Sequence, residues 1–418
     1  MKFRVKSLTK YGPRLGELYG IENKPDLVLE TPLALLHTQA GHIPHITHEV
    51  FKLVSQTPQI LQIPLVSVHQ YQDAIRLYEG RVSEFVGNRD NLTCITLHDP
   101  ANLTKQGHHV KGKVPVFTKH GKVLYSADMY VDMVQRFKPD MWVLLSDSDT
   151  NKSSPQKRVT KAVEHTVSFN AKCVKRIRNS ESLRKTFVVA PVAGGYCKHS
   201  RRKCIQEISV NDSHVDGYLI DGLHNNGPEV EFLPFDEVKE IVDCVLEKIP
   251  SGKIRLVQGC WSPVNILRLV KSGVDMFDTS YCVILTERSA ALTFSTQQGE
   301  NSEYWEIILR QTSYSDDFDP IMKTCQCLTC RNYSRAYVHH LLTVQELLGP
   351  ILIMVHNVYR MLMFFEKIRE SIKTDTFREF EQHVTQQYRD HLNREQHSME
   401  PDSDQLNTHK NVETHGVI

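Results

Sequence analysis

Over roughly its first 300 residues the chain repeats one unit, a short run of β-forming apolar residues followed by an amphipathic stretch. Strand-like runs fall at 92–97, 141–145, 186–192, 217–220 and 254–257, and again at 276–277 with 281–285. Helical spacing occupies 126–137, 157–173, 235–248 and 264–272, where Ile266, Leu267, Leu269 and Val270 form one apolar stripe. This alternation constrains the fold more than any other feature. Parallel strands need a crossover between them, and the crossover helices must cover the sheet. The chain is therefore α/β, as a closed (β/α)8 barrel or a doubly wound sheet, and periodicity does not separate the two.

The pattern then changes. From 297 to 322 the residues are polar and without period, which reads as an irregular insertion. A long helical pattern runs from 333 to 371, and Gly349-Pro350 predicts a break into two helices. The stretch from Gly349 to Phe365 is strongly apolar but carries His356, Asn357 and Arg360, so it reads as a buried helix rather than a membrane span. The last residues, 393–418, are polar and predict a disordered tail.

Charge narrows the function classes. Lysine and arginine total 50 against 49 acidic residues, a formal charge of +1. No overall basic field exists, so any nucleic-acid contact must come from local patches, such as Lys172 to Arg178 or Arg201-Arg202-Lys203. The first ten residues, MKFRVKSLTK, lack the apolar run of a secretory signal. With ten scattered cysteines, an intracellular setting with reduced thiols is expected.

Three of those cysteines are not scattered. Cys325-x-Cys327-x-x-Cys330 places three thiols in six residues, a soft donor set that suits zinc if a fourth ligand closes a tetrahedral site. His339, His340 and His356 are the candidates, and spacing alone does not choose among them.

The segment from Cys325 to Ile372, with its Tyr333-Ser334-Arg335-Ala336-Tyr337 helix start and Val355-His356-Asn357, closely resembles the zinc region of the tRNA-guanine transglycosylases. Gly273-Val274-Asp275-Met276-Phe277-Asp278 is similar to the segment carrying that family's nucleophilic aspartate. Weaker matches stand at Leu97-His98-Asp99, Ala193-Gly194-Gly195 and 217–223, and the likeness covers about 8–372. The resemblance implies a (β/α)8 TIM barrel over 1–296 and the insertion at 297–322. It further implies a zinc-binding subdomain at 323–372, a C-terminal helix at 373–392 and one Zn2+ held by Cys325, Cys327, Cys330 and His356. It also implies base exchange on tRNA, with Asp278 as nucleophile and Asp99 as acid/base in an active member.

This sequence departs from the family where the chemistry sits. Where active enzymes read Asp-Ser-Gly-Gly-aromatic-Gln, here stands Asp99-Pro100-Ala101-Asn102. The glutamine of Gln-Gly-Gly has become Ala193, which cannot donate and accept at a base edge. A glycine-rich loop ending in glutamate reads Asp221-Gly222-Leu223-His224-Asn225-Asn226-Gly227, and the basic segment after the nucleophile reads 285–292, LTERSAAL. Such losses resemble the family's accessory, non-catalytic members, which pair as heterodimers with a catalytic queuine tRNA-ribosyltransferase subunit. By that resemblance Asp278 and Asp99 are remnants and the chain supports queuosine formation at the anticodon wobble base. Its implied partners are that subunit, or a second copy in the free state, and tRNA; Arg331 and Arg335, beside the cysteines at a helix start the metal would fix, are the residues expected to meet it. The implied setting is cytoplasmic, with peripheral association at the mitochondrial outer membrane. The rival expectations are an active transglycosylase using both aspartates, and a zinc-stabilised RNA-binding protein.

Overall fold

In the computed structural model, residues 1–8, 12–108, 110–297 and 304–399 are described. Eight short strands close into one parallel barrel: β1 (Leu33–His37), β2 (Ile60–Pro64), β3 (Leu92–Thr96), β4 (Met141–Val143), β5 (Phe187–Val192), β6 (Gly217–Ile220), β7 (Ile254–Leu256) and β8 (Met276–Asp278). Each pairs with the strands before and after it in sequence, and β8 closes on β1 through Met276–Leu33, Phe277–Ala34 and Asp278–Leu35. Closure excludes the doubly wound alternative.

The two faces of each strand divide the core by a period of two. Leu35, Cys94, Met141, Val143, Phe187, Val189, Leu256 and Met276 form one cluster inside the barrel. Their neighbours Leu36, Ile95, Trp142, Val188 and Phe277 join a second, larger cluster under the outer helices. The N-terminal sheet, Lys2–Leu8, Arg14–Tyr19 and Leu29–Thr31, plugs the lower end with Leu18 and Ile21. Arg14 pins that plug: its Nε donates to Asp275 Oδ1 at 2.7 Å, and its other nitrogens reach the carbonyls of Ser251 and Lys253. The open end is therefore the carboxyl end of the strands, where barrel sites form.

Several expectations are corrected. Residues 281–285 are not strand but lie in the helix Ser280–Glu287, buried on every side. A continuous apolar run fits a buried helix as well as a buried strand, and Asp278 accepts the Ser280 N–H at the start of this one. Gly349-Pro350 does not break the helical region. It sits in the first turn of Leu348–Lys373, where a missing N–H costs nothing, and the chain turns earlier, with Gln345 left-handed at φ 60°. That helix is the long apolar one, and it packs as a core helix with 67% of its most apolar window buried. Inside 297–322, Glu306–Ile308 pairs antiparallel with Ala290–Leu292, while 298–303 lie outside the described residues. The last helix runs Phe377–Met399, beyond the 392 read from sequence, and the rest of the expected tail is outside the described residues.

Candidate functional site

The cysteine loop folds so that its thiols face one histidine. Cys327 caps the short helix Leu328–Asn332, its Sγ accepting the Cys330 N–H at 3.3 Å. That turn brings Cys325, Cys327 and Cys330 to 3.8, 3.5 and 3.2 Å from His356 Nδ1. Tetrahedral bonds of about 2.3 Å to sulfur and 2.05 Å to nitrogen would set those edges near ~3.6 Å. All four ligand atoms lie within 4.8 Å of one another and all four residues are buried, a set able to hold a metal ion. His356 Nε2 meets the Leu292 carbonyl at 2.7 Å, and an N–H donated there leaves Nδ1 as the free ligand lone pair. The other candidates are elsewhere: His339 Nδ1 bonds the Leu309 carbonyl at 2.9 Å, and His340 is exposed.

The same helix ties this cluster to the barrel. Strand Ala290–Leu292 uses one edge for Glu306–Ile308, while Asn357 docks on it by accepting from Leu292 N and donating to Ala290 O, both at 3.0 Å. Asn357 also donates to Thr286 Oγ1 at 3.2 Å, reaching the helix that follows β8. Of the two arginines beside the cysteines, Arg331 is exposed. Arg335 is committed inward, to Asp317 Oδ2 at 2.9 Å and the Ile321 carbonyl at 3.1 Å.

At the barrel mouth the remnant carboxylates are fully engaged. Asp278 is 2% exposed, with Oδ2 accepting from Gly259 N at 2.8 Å and Oδ1 from both the N–H and the hydroxyl of Ser280. Burial raises its pKa against those donors. Asp99 pairs with His37 Nε2 at 2.7 Å and takes 2.9 Å bonds from Ala101 N and the Asn102 side chain. Burial alone would raise Asp99; the His37, Asn102 and Ala101 contacts outweigh it and hold the carboxyl below its ordinary value. The asparagine standing where active enzymes carry other residues thus folds back onto the acid.

Loops from distant strands are laced over the opening. The loop after β3 meets the loop after β6 through Gly227 N to Pro100 O (3.0 Å), Thr104 N to Asn225 O (2.8 Å) and the Asn226 amide to Thr104 Oγ1 (3.0 Å). The β4 loop joins them by Thr150 to the Gly222 carbonyl and Asn151 to Asn225. What remains beneath, between His98, Ser146, Asp221, His224 and Gln258, is about 30 Å³, room for roughly one water. A separate cavity of about 290 Å³ beside Tyr71 and Phe117 reaches Asp99 and Asn102 but is not lined by Asp278. His98 is held below the usual histidine range by burial, although Asp221, Asp149 and Asp147 surround it.

Arg201, one of the cations read as a phosphate patch, is wholly buried instead. It bonds the carbonyls of Val192, Gly195 and Asp221 and so fixes the loops after β5 and β6. Gly194 permits that approach, because a Cβ there would come within 2.8 Å of Arg201 N. Of the lacing residues, Thr104 and Thr150 carry no motif and Asn225 lies in the altered 221–227 loop, so they were not legible as a group.

Comparison with known proteins is consistent with this geometry. A family model for queuine tRNA-ribosyltransferase matches residues 10–390. A queuine tRNA-ribosyltransferase accessory subunit 2 from Aedes aegypti is 32% identical over 390 residues, 93% of each chain. Those of Drosophila virilis and Drosophila melanogaster are both 36% identical, over 93% and 90% of each chain respectively.

Proposed function

The chain belongs to the queuine tRNA-ribosyltransferase family, and from that membership we propose that it is the non-catalytic accessory subunit, supporting exchange of guanine for queuine at the tRNA wobble position. One observation carries the reading. The space left over the barrel axis, where such a fold does its chemistry, is about 30 Å³, and the larger cavities of about 290 and 420 Å³ lie to its sides among the loops, away from Asp278. Attack on a ribose carbon needs a carboxylate lone pair facing open space. Asp278 has its oxygens filled by three donors and lines none of these three cavities. The alternative, an active transglycosylase built on Asp278 and Asp99, would require these loops to unlace.

The metal in this reading is one zinc held by Cys325, Cys327, Cys330 and His356. The all-protein Cys3His set leaves no open position, so zinc would supply folding energy rather than catalysis. It would join the cysteine turn to the helix whose Asn357 grips strand Ala290–Leu292, keeping one rigid face for a partner. The partner is the catalytic subunit, as a 1:1 heterodimer, through a surface that includes the exposed Phe318, Tyr337, Val344 and Leu347 around the cysteine turn. Arg331 is exposed and is the arginine we propose meets tRNA; Arg335, bound to Asp317, contributes structure instead. The setting we propose is the cytoplasm, with peripheral association at the mitochondrial outer membrane, in keeping with ten cysteines of which none is in a disulfide.

The test mixes the purified chain with a catalytic transglycosylase subunit. Co-elution as a 1:1 species, together with queuine incorporation into unmodified tRNA by the mixture and none by this chain alone, supports the reading. Incorporation by this chain alone refutes it.

A further inference from the structure

The helix Gln156–Arg178 covers the barrel between β4 and β5 and is sharply two-sided. Val159, Val163, Phe169, Val174 and Ile177 are buried on one side. On the opposite side Lys157, Lys161, Lys172 and Lys175 are all exposed. At 100° per residue these four fall within an arc of about 60°, and from first to last they span about 27 Å. Among the described residues none of the four has an ion-pair partner, although Glu164 shares their face. The adjoining helix Lys198–Ile208 adds exposed Arg202 and Lys203, the latter 3.9 Å from Glu207. In a chain whose formal charge is +1, four lysines against one glutamate on a single helix face are a local field rather than an average one.

We propose that this outer face of the barrel docks the phosphate backbone of tRNA. The inference rests on the accessory-subunit reading and adds a surface that neither the cysteine region nor the barrel mouth supplies. Charge complementarity selects the partner class. Lys157 with Lys161 and Lys172 with Lys175 each stand one helical turn apart, about 5–6 Å, close to the spacing of neighbouring backbone phosphates; about 16 Å of helix separates the two pairs, so one rigid face meets a rigid duplex at two points. A bilayer is disfavoured because an interfacial helix must offer an apolar face, and here that face is already packed on the barrel. Ser168 and Ala171, between the lysines, are exposed and small enough to let a backbone approach.

The experiment uses the assembled complex with the catalytic subunit and measures tRNA affinity across a salt series. Each lost phosphate contact should lower the slope of log affinity against log salt by about 0.7–0.9. The double variant Lys161→Glu/Lys172→Glu should therefore lose about 1.4–1.8 in slope and roughly tenfold or more in affinity near 0.1 M salt. The control Lys52→Glu/Lys248→Glu, equal in charge change and exposed elsewhere, should stay within about twofold. An unchanged slope in a complex that still assembles and incorporates queuine overturns the docking face and leaves the accessory reading standing. Equal loss in the control also overturns it, since net charge would then explain the effect. Vesicles of phosphatidylcholine and phosphatidylserine form the last arm: binding abolished by the lysine variant, with tRNA affinity unaffected, assigns the face to a membrane and refutes the RNA partner. Failure of the wild-type chain to assemble with the catalytic subunit removes the accessory reading and this surface with it.

Discussion

Asn357→Ala is the sharpest probe of how the cysteine region is attached to the barrel. The side chain is fully buried and makes three hydrogen bonds, to Leu292 N, Ala290 O and Thr286 Oγ1. Each bond contributes about 1 kcal/mol net, and truncation also strands the buried Leu292 N–H at about 1–3 kcal/mol. Two of the three bonds hold the strand itself, so local opening of Ala290–Leu292 should become easier by about 3–5 kcal/mol. Amide exchange reads this directly. At about 1.4 kcal/mol per factor of ten, protection across 290–292 and its partner 306–308 should fall more than about 100-fold, while β4 and β5 keep theirs. His356, the next residue, should hold its thiol neighbours less firmly, because the strand carbonyl that orients its Nε2 would move. Protection within about threefold of the parent would show that the strand is held by its pairing with Glu306–Ile308 alone, and the clamp argument would fail.

Replacing Cys327 with Ser should lower bound zinc from about one equivalent to near none and make the helix Leu348–Lys373 exchange faster; stoichiometric zinc in His356→Ala would move the fourth ligand elsewhere. Asp278→Asn, assayed in the assembled complex, should leave queuine incorporation within a few fold, since a covalent nucleophile costs several orders of magnitude when removed; a loss of that size with assembly intact would make Asp278 catalytic. His224 gives a pH prediction. Burial holds it down to about 4, and its ring bonds Gln258 O through Nε2 while Nδ1 accepts from Asn226 N, a bond the protonated ring cannot make. Its folded pKa lies below the unfolded value, so the unfolded chain binds the extra proton first and stability falls as pH drops from about 6.5 toward 4, by on the order of 2–3 kcal/mol. His224→Gln should flatten stability across that window, and an unchanged slope in urea melts would show that the ring does not titrate there.

What was legible in the sequence follows from local rules. Strands β3 to β8 and the helices at 127–137, 156–178, 235–246 and 263–272 stand close to where period and propensity put them, because each of those helices buries one face and the pattern records which. The cysteine triplet was legible because metal ligands are few, rare and close in sequence. The run 281–285 was misread because a helix buried on all sides has no period left to show, and Gly349-Pro350 because a proline inside a first turn looks like one that ends a helix. Only the tertiary structure chose His356 over His339 and His340, which depends on how a helix 26 residues long crosses the cysteine turn. Only it turned Arg201 and Arg335 inward, and only it brought Pro100, Asn225 and Gly227 together across the barrel mouth. Residues more than a hundred positions apart leave no local trace of their meeting, since loop contacts are set by closure of the sheet beneath them and not by the loops' own sequence.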